Sequence, residues 1–398
     1  MLKRSFYLNK IKPFIDKPII KVLTGVRRCG KSVMLEQIKE EILNSGVDKD
    51  QIILINFEKL QFDEIRNYKK LHDFIISKSK EVNKKIYVFL DEIQNVENWE
   101  IAINSLNVSI DCDIYLTGSN AKLLSGELAT HLAGRYVKFD IYPFSFKEFY
   151  ESYDKEVSKE EAFKHYVRIG GMPFLTNLNF DEELSFTYLR DVFNTVVLKD
   201  IIERNKIREP ALLNDIISYC VNGMGNSFSA SSISKYYKNL NVRISTETVL
   251  NYISYCLDAY LLLEAKKEDI HGKETLGGND KYYLIDHSFK QLLFSNNEQD
   301  INLVLENIVY VELRRRGYEV SVGYNKTKKI DFVCHKNGEK IYVQVCYYLA
   351  SKETIDREFN AYKGISDNYP KYVLSLDNFN MSRDGIIHMN IIDFLLNL

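Results

Sequence analysis

Between residues 19 and 142, short continuous apolar runs alternate with longer stretches in which apolar side chains recur every three or four positions. Ile19, Ile20, Val22 and Leu23 make the first run, "QIILINFE" at 51 to 58 the second, "IYVFLDE" at 86 to 92 the third and "CDIYLTGS" from 112 the fourth, with a further strand at 136 to 142. Unbroken apolar runs of this length mark strands buried on both faces. After the first run, Val33, Met34, Leu35, Ile38 and Ile42 fall at helical spacing in "KSVMLEQIKEEIL". The alternation predicts an α/β fold, a parallel sheet covered by helices on both faces, with a strand inserted between the first strand and the acidic one. The segment to about Asp16 carries Phe6, Leu8, Ile11, Phe14 and Ile15 at spacing compatible with a helix packed on this layer.

From 147 to about 220 the pattern turns helical, broken by Gly170, Gly171 and Pro173. Residues 227 to 286 then follow a winged-helix order. "SASSISKYYKNL" and "STETVLNYISYCLDAYLL" read as two helices, followed by a strand from Leu261 to Ala265, a turn-rich loop and the strand "KYYLID". Such a unit either reads duplex DNA, with Lys235, Lys238, Arg243, Lys266, Lys267 and Lys273 meeting phosphates, or serves as a packing and protein-contact module. The last region reads as a helix carrying Glu306 and Glu312, a strand, a hairpin, and two more strands with a closing helix. The expected domains are therefore a core at 1–145, a helical lid or connector at 146–220, a winged-helix domain at 221–298 and a C-terminal α/β domain at 299–398.

Composition narrows the class. The chain has 398 residues, 45% hydrophobic and 27% charged, enough for several packed cores. No apolar run is long enough to span a bilayer, which predicts a cytoplasmic protein without a membrane partner. The six cysteines lack paired metal-site or disulfide spacing. A formal net charge of −2 gives no global field for nucleic acid, so any such affinity has to be local.

The candidate chemistry sits in the turn after the first strand. Gly25, Val26, Arg27, Arg28, Cys29, Gly30, Lys31 and Ser32, with Val33 following, fit the spacing of a loop that wraps polyphosphate with its backbone. Gly25 and Gly30 permit the dihedrals that turn successive N–H groups inward. Lys31 would reach the outer phosphates, and the Ser32 hydroxyl would ligate magnesium, with the helix N-terminus behind them. Asp91 would hold a metal-bound water, and Glu92 would act as general base, or the acidic pair caps the next helix. Ser119 or Asn120 would sense the terminal phosphate or cap the helix beginning near Ala121. Arg135 is a candidate arginine finger or nucleotide sensor.

These residues carry a resemblance. "LTGVRRCGKS", "FLDEIQNVENWE", "LTGSNAKLLSGELATHLAGRY", "YPFSFKEF" and "GGMPFL" resemble the bacterial and archaeal AAA-type ATPases that carry a C-terminal domain of unknown function. The resemblance implies ATP and magnesium as cofactors, hydrolysis, and site roles for Lys31, Ser32, Asp91, Glu92, Asn120 and Arg135. The last region resembles the PD-(D/E)XK nuclease fold, with Asp331 at the aspartate. Gln344 and Cys346 stand where an acid and a lysine are required, which argues against cleavage. Arg314, Arg315, Arg316, Lys326, Lys328 and Lys329 form a basic cluster, a phosphate patch or a solvated face. The function expected is an ATP-hydrolysing switch coupled to the later domains, with duplex DNA and a second copy of the chain as candidate partners. The alternatives are a DNA-binding scaffold that only holds ATP and an ATPase-coupled nuclease.

Overall fold

A computed structural model describes residues 2–121, 134–153, 156–270, 275–294, 300–325 and 328–397. The chain divides into two compact units, 1–141 with 258–260, and 142–257 with 261–398.

The first unit holds a five-stranded sheet of β1 (Ile20–Thr24), β2 (Ile52–Asn56), β3 (Ile86–Asp91), β4 (Cys112–Gly118) and β5 (Tyr136–Asp140). Their order is β2-β3-β4-β1-β5, and every pairing is parallel. Strand β4 thus lies between the acidic strand and the strand that opens the loop. Helices α1 (Ser5–Ile11), α2 (Lys31–Asn44), α3 (Tyr68–Val82) and α4 (Trp99–Ser109) belong to the same unit. The core joins Val22, Ile55, Val88, Leu90, Ile114 and Leu116 from the strands to Leu71, Ile75, Ile103 and Leu106 from α3 and α4. All five residues of β1 are buried, Lys21 included. That lysine is tolerated because its ammonium is paired to Asp113 of β4, both side chains being fully buried.

The second unit contains a seven-stranded mixed sheet in the order β12-β11-β10-β9-β8-β6-β7. The strands are β6 (Leu262–Asp269), β7 (Thr275–Leu284), β8 (Glu319–Asn325), β9 (Lys328–Lys336), β10 (Glu339–Val345), β11 (Lys371–Ser375) and β12 (Ile386–Asn390). Here the structure differs from the expected division at 298/299. The β6–β7 hairpin, expected as the wing of a winged-helix domain at 221–298, is the end of this sheet, because β6 also pairs in parallel with β8. Hydrophobic pattern gives strands but not which strand edges join, and pairing satisfies backbone groups that an isolated wing leaves to water. The two helices expected before the hairpin are present at Ala230–Asn239 and Thr246–Asp258, the first opened by a Ser229 and Ser232 capping box. No helix among the described residues is long and apolar enough to cross a membrane.

Candidate nucleotide site

The loop from 25 to 30 leaves the C-terminal end of β1, and α2 begins at Lys31. Gly25 has φ +151°, and a Cβ built there would stand 2.2 Å from the Ile141 carbonyl oxygen, so no other residue fits without moving backbone. Gly30, at φ 98°, is the left-handed residue that turns the loop into the helix. Arg28 also has a positive φ of 68°, a conformation that costs a non-glycine residue energy and is met where backbone is held for a purpose.

Lys31 lies under the loop, buried, with Nζ donating to the carbonyl oxygens of Gly25 (3.1 Å) and Val26 (3.0 Å). The Glu92 carboxylate is 3.8 Å from the same Nζ. Asp91 ends β3, and its carboxylate accepts from Thr117 Oγ1 at 2.5 Å and Asn56 Nδ2 at 2.8 Å. Burial pushes the Asp91 carboxyl above its ordinary pKa, against the Thr117 hydrogen bond and the Ser32 side chain, which is close enough to draw it down. Burial is again the largest single influence on Glu92 and raises it, but the Lys31 ammonium, the Gln94 and Ser119 hydrogen bonds and the Arg27 charge together outweigh it and leave that carboxyl below the usual value. Glu92 sits at φ 56°, ψ 50°, and its Oε2 accepts from Ser119 Oγ at 3.0 Å and from the Gln94 amide.

The expected residues are therefore not all brought to one place. Lys31, Ser32, Asp91, Glu92 and Ser119 converge at the C-terminal edge of the parallel sheet, the side on which α/β sheets present ligand sites. Asn120, buried at 5% exposure, follows Ser119 beyond β4. Arg27 reaches outward to Glu58, 3.2 Å away. Arg135 is not brought to this edge. It precedes β5, whose first residue pairs with Ile20, and in a parallel pair that is the opposite end of β1, about 16 Å from the loop. Its guanidinium is exposed and donates to Asn104 at 2.5 Å. Arg135 is thus not brought together with Lys31, Asp91 and Glu92. The helix expected from Ala121 runs into residues outside those described.

Three groups at the site have no motif signal. Asn56 becomes visible only once β2 is known to flank β3, and Gln94 only once the Glu92 backbone turns left-handed. Arg4, from the N-terminal segment, donates from Nη1 to the Cys29 carbonyl at 3.1 Å.

Elsewhere, Asp331 of β9 accepts from the Val345 N–H at 3.0 Å and lies 4.0 Å from the Lys281 ammonium, which is bonded to Glu306. Burial and Glu306 push its carboxyl up to about 7. Gln344 accepts from the Asp331 N–H at 3.1 Å and donates to Glu358 at 2.8 Å, while burial pushes the Cys346 thiol well up. The expected basic patch is broken up. Arg315 is buried with two hydrogen bonds to Glu312, and Arg316 bonds Glu312 and the Phe394 carbonyl, because the helix they end packs in the unit's interior. Lys326 and Lys273 lie outside the described residues. No group of three or more His, Cys, Asp or Glu among the described residues is arranged to hold a metal.

Comparison with known proteins places these features in context. Residues 17–150 match the AAA domain, and residues 160–300 match a domain of unknown function. An uncharacterised protein of Haemophilus influenzae is 36% identical over 400 residues, spanning 100% of this chain and 99% of its own. An uncharacterised protein of Methanocaldococcus jannaschii is 33% identical over 383 residues, covering 91% of this chain and 81% of its own. Among solved structures, a Walker-type ATPase of Pyrococcus abyssi superposes with a TM-score of 0.51 at 17% identity, covering 74% of this chain and 96% of its own, a likeness of fold.

Proposed function

Because this chain belongs to one family with the Haemophilus influenzae protein and its residues 17–150 match the AAA domain on a P-loop ATPase-like core, we propose that it binds and hydrolyses ATP. The observation that carries the reading is the meeting of Lys31, Asp91 and Glu92 below a glycine-framed loop at one edge of the sheet. Lys31 leaves the Gly25 and Val26 carbonyls for the outer phosphates, which offer a full negative charge in their place. The Ser32 hydroxyl and Asp91 carboxylate are adjacent hard oxygen donors and fit magnesium, which would supply charge neutralisation on the phosphates. Thr117 and Asn56 hold the Asp91 carboxylate in place. Glu92 takes the proton of the attacking water, and Ser119 and Asn120 orient its neighbourhood. Comparing ATP turnover of the intact chain with that of Lys31→Ala tests this, and equal rates would end it.

The reading extends to the later residues as a switch in which nucleotide state alters what the second unit contacts. Duplex DNA as that contact is favoured by exposed Lys235, Lys238, Arg243 and Lys266 around the two helices and hairpin of the expected winged helix. The binding would be salt-sensitive, and a titration at low and moderate salt that shows none removes it. The C-terminal strands are proposed as a nuclease-like scaffold without cleavage, a reading supported by Asp331 being engaged with Lys281 and Gln344 with Glu358. Magnesium- or manganese-dependent cutting abolished in Asp331→Ala would overturn that. Exposed Arg135 is proposed as a finger toward a second copy of the chain, tested by mass measurement with and without ATP.

A further inference from the structure

Arg4 is among the largest fully buried side chains of the chain, at 1% exposure, and it lies upstream of the residues matched by the AAA domain. A buried guanidinium is expensive unless its surroundings use the charge. Here its Nη1 donates to the Cys29 carbonyl of the loop, and its Cζ lies 4.5 Å from the Tyr7 ring centroid. The segment that carries it is fastened to α2. Gln37 accepts from the Arg4 N–H at 3.0 Å and donates to the Leu2 carbonyl at 2.8 Å.

The consequence follows from peptide geometry. In a planar trans peptide the C=O of one residue and the N–H of the next point in opposite directions. Fixing the Cys29 carbonyl toward Arg4 therefore turns the Gly30 N–H away from Arg4, free of that guanidinium. A cationic donor on the carbonyl also polarises the peptide and makes that N–H a stronger donor. We propose that Arg4 is a positioning residue for the phosphate cradle, acting through the Cys29–Gly30 peptide on triphosphate affinity. The inference rests on the nucleotide reading above, which does not itself require Arg4.

The experiment is equilibrium binding of magnesium-ATP, and separately of inorganic pyrophosphate, to the full chain and to Arg4→Lys, Arg4→Gln and Arg4→Met, with the ligand-free melting temperature of each. Loss of a hydrogen bond from a charged donor predicts roughly ten- to hundredfold weaker binding in Arg4→Met. Arg4→Lys, which keeps a cationic donor, should recover part of it, and Arg4→Gln, which keeps a donor without charge, less. The order should hold for pyrophosphate, which touches only the cradle. A purely structural residue would instead lower the melting temperature and leave both affinities within about twofold of wild type, and that result overturns the proposal. If Arg4→Met does not fold, the Lys and Gln variants decide by the same criterion. A wild-type chain that binds no ATP overturns the nucleotide reading and this inference together. A wild-type chain that binds, loses binding in Lys31→Ala, and is indifferent at Arg4 overturns this inference alone.

Discussion

Replacing Glu92 by Gln separates holding the nucleotide from hydrolysing it. The substitution keeps the side-chain volume and one oxygen able to accept from Ser119, but removes a buried negative charge 3.8 Å from the Lys31 ammonium. In the nucleotide complex that carboxylate and the outer phosphate would compete for Lys31. Two unit charges about 5 Å apart at an effective dielectric near 20 repel by roughly 3 kcal/mol. Compensation by Lys31 and magnesium leaves about 1–2 kcal/mol, or roughly five- to thirtyfold tighter ATP binding in Glu92→Gln. The same change removes the proposed general base, whose contribution is typically about 10²- to 10⁴-fold in rate. Affinity should therefore rise while turnover falls. Binding of a fluorescent ATP analogue gives the first quantity and single-turnover phosphate release the second. Turnover within about tenfold of wild type, or weaker binding, would refute the assignment of Glu92 and the charge argument with it.

Other consequences are as specific. Lys21→Met leaves the Asp113 carboxylate buried with only the Asp16 N–H and the Tyr115 hydroxyl, so the first unit should lose about 3–5 kcal/mol, read by urea unfolding with the single tryptophan, Trp99 of its core, as reporter. Gly25→Ala drives a Cβ into the Ile141 carbonyl and should cost on the order of 3 kcal/mol and abolish ATP binding, checked by the same urea unfolding and a nucleotide titration. Asp331, with a carboxyl raised to about 7 in the fold against an ordinary unfolded value of 3.8, binds more protons folded than unfolded. Its contribution is fully present below about pH 4 and is lost as pH rises toward 7. Asp331→Asn should flatten that slope in thermal melts of the second unit taken across this window, and an unchanged slope would refute the assignment.

The alternating runs from 19 to 142 were enough to read the parallel sheet and the loop in its first turn, because a strand buried on both faces and a glycine-framed turn each leave a mark in local sequence. The acidic end of β3 was legible for the same reason. Arg135 was not, since its use depends on which end of β1 its strand pairs with. The hairpin at 262–284 was read as two shorter strands, with 275–280 given to the loop, and not as part of the larger sheet, because edge-to-edge pairing with β8 joins residues some fifty positions apart and leaves no local signature.

What the sequence by itself determined is thus the placement of particular residue types at fixed spacing: Gly25, Gly30, Lys31 and Ser32 in one turn, Asp91 and Glu92 at one strand end. Tertiary structure alone decided the partners that steer them. Thr117 and Asn56 meet Asp91 only through strand order, Ser119 reaches Glu92 because β4 is the intervening strand, and Arg4 touches Cys29 only because Gln37 clamps the N-terminal segment to α2. Motifs record contacts made within a turn of chain; these contacts are made across the sheet, where sequence separation carries no information about distance.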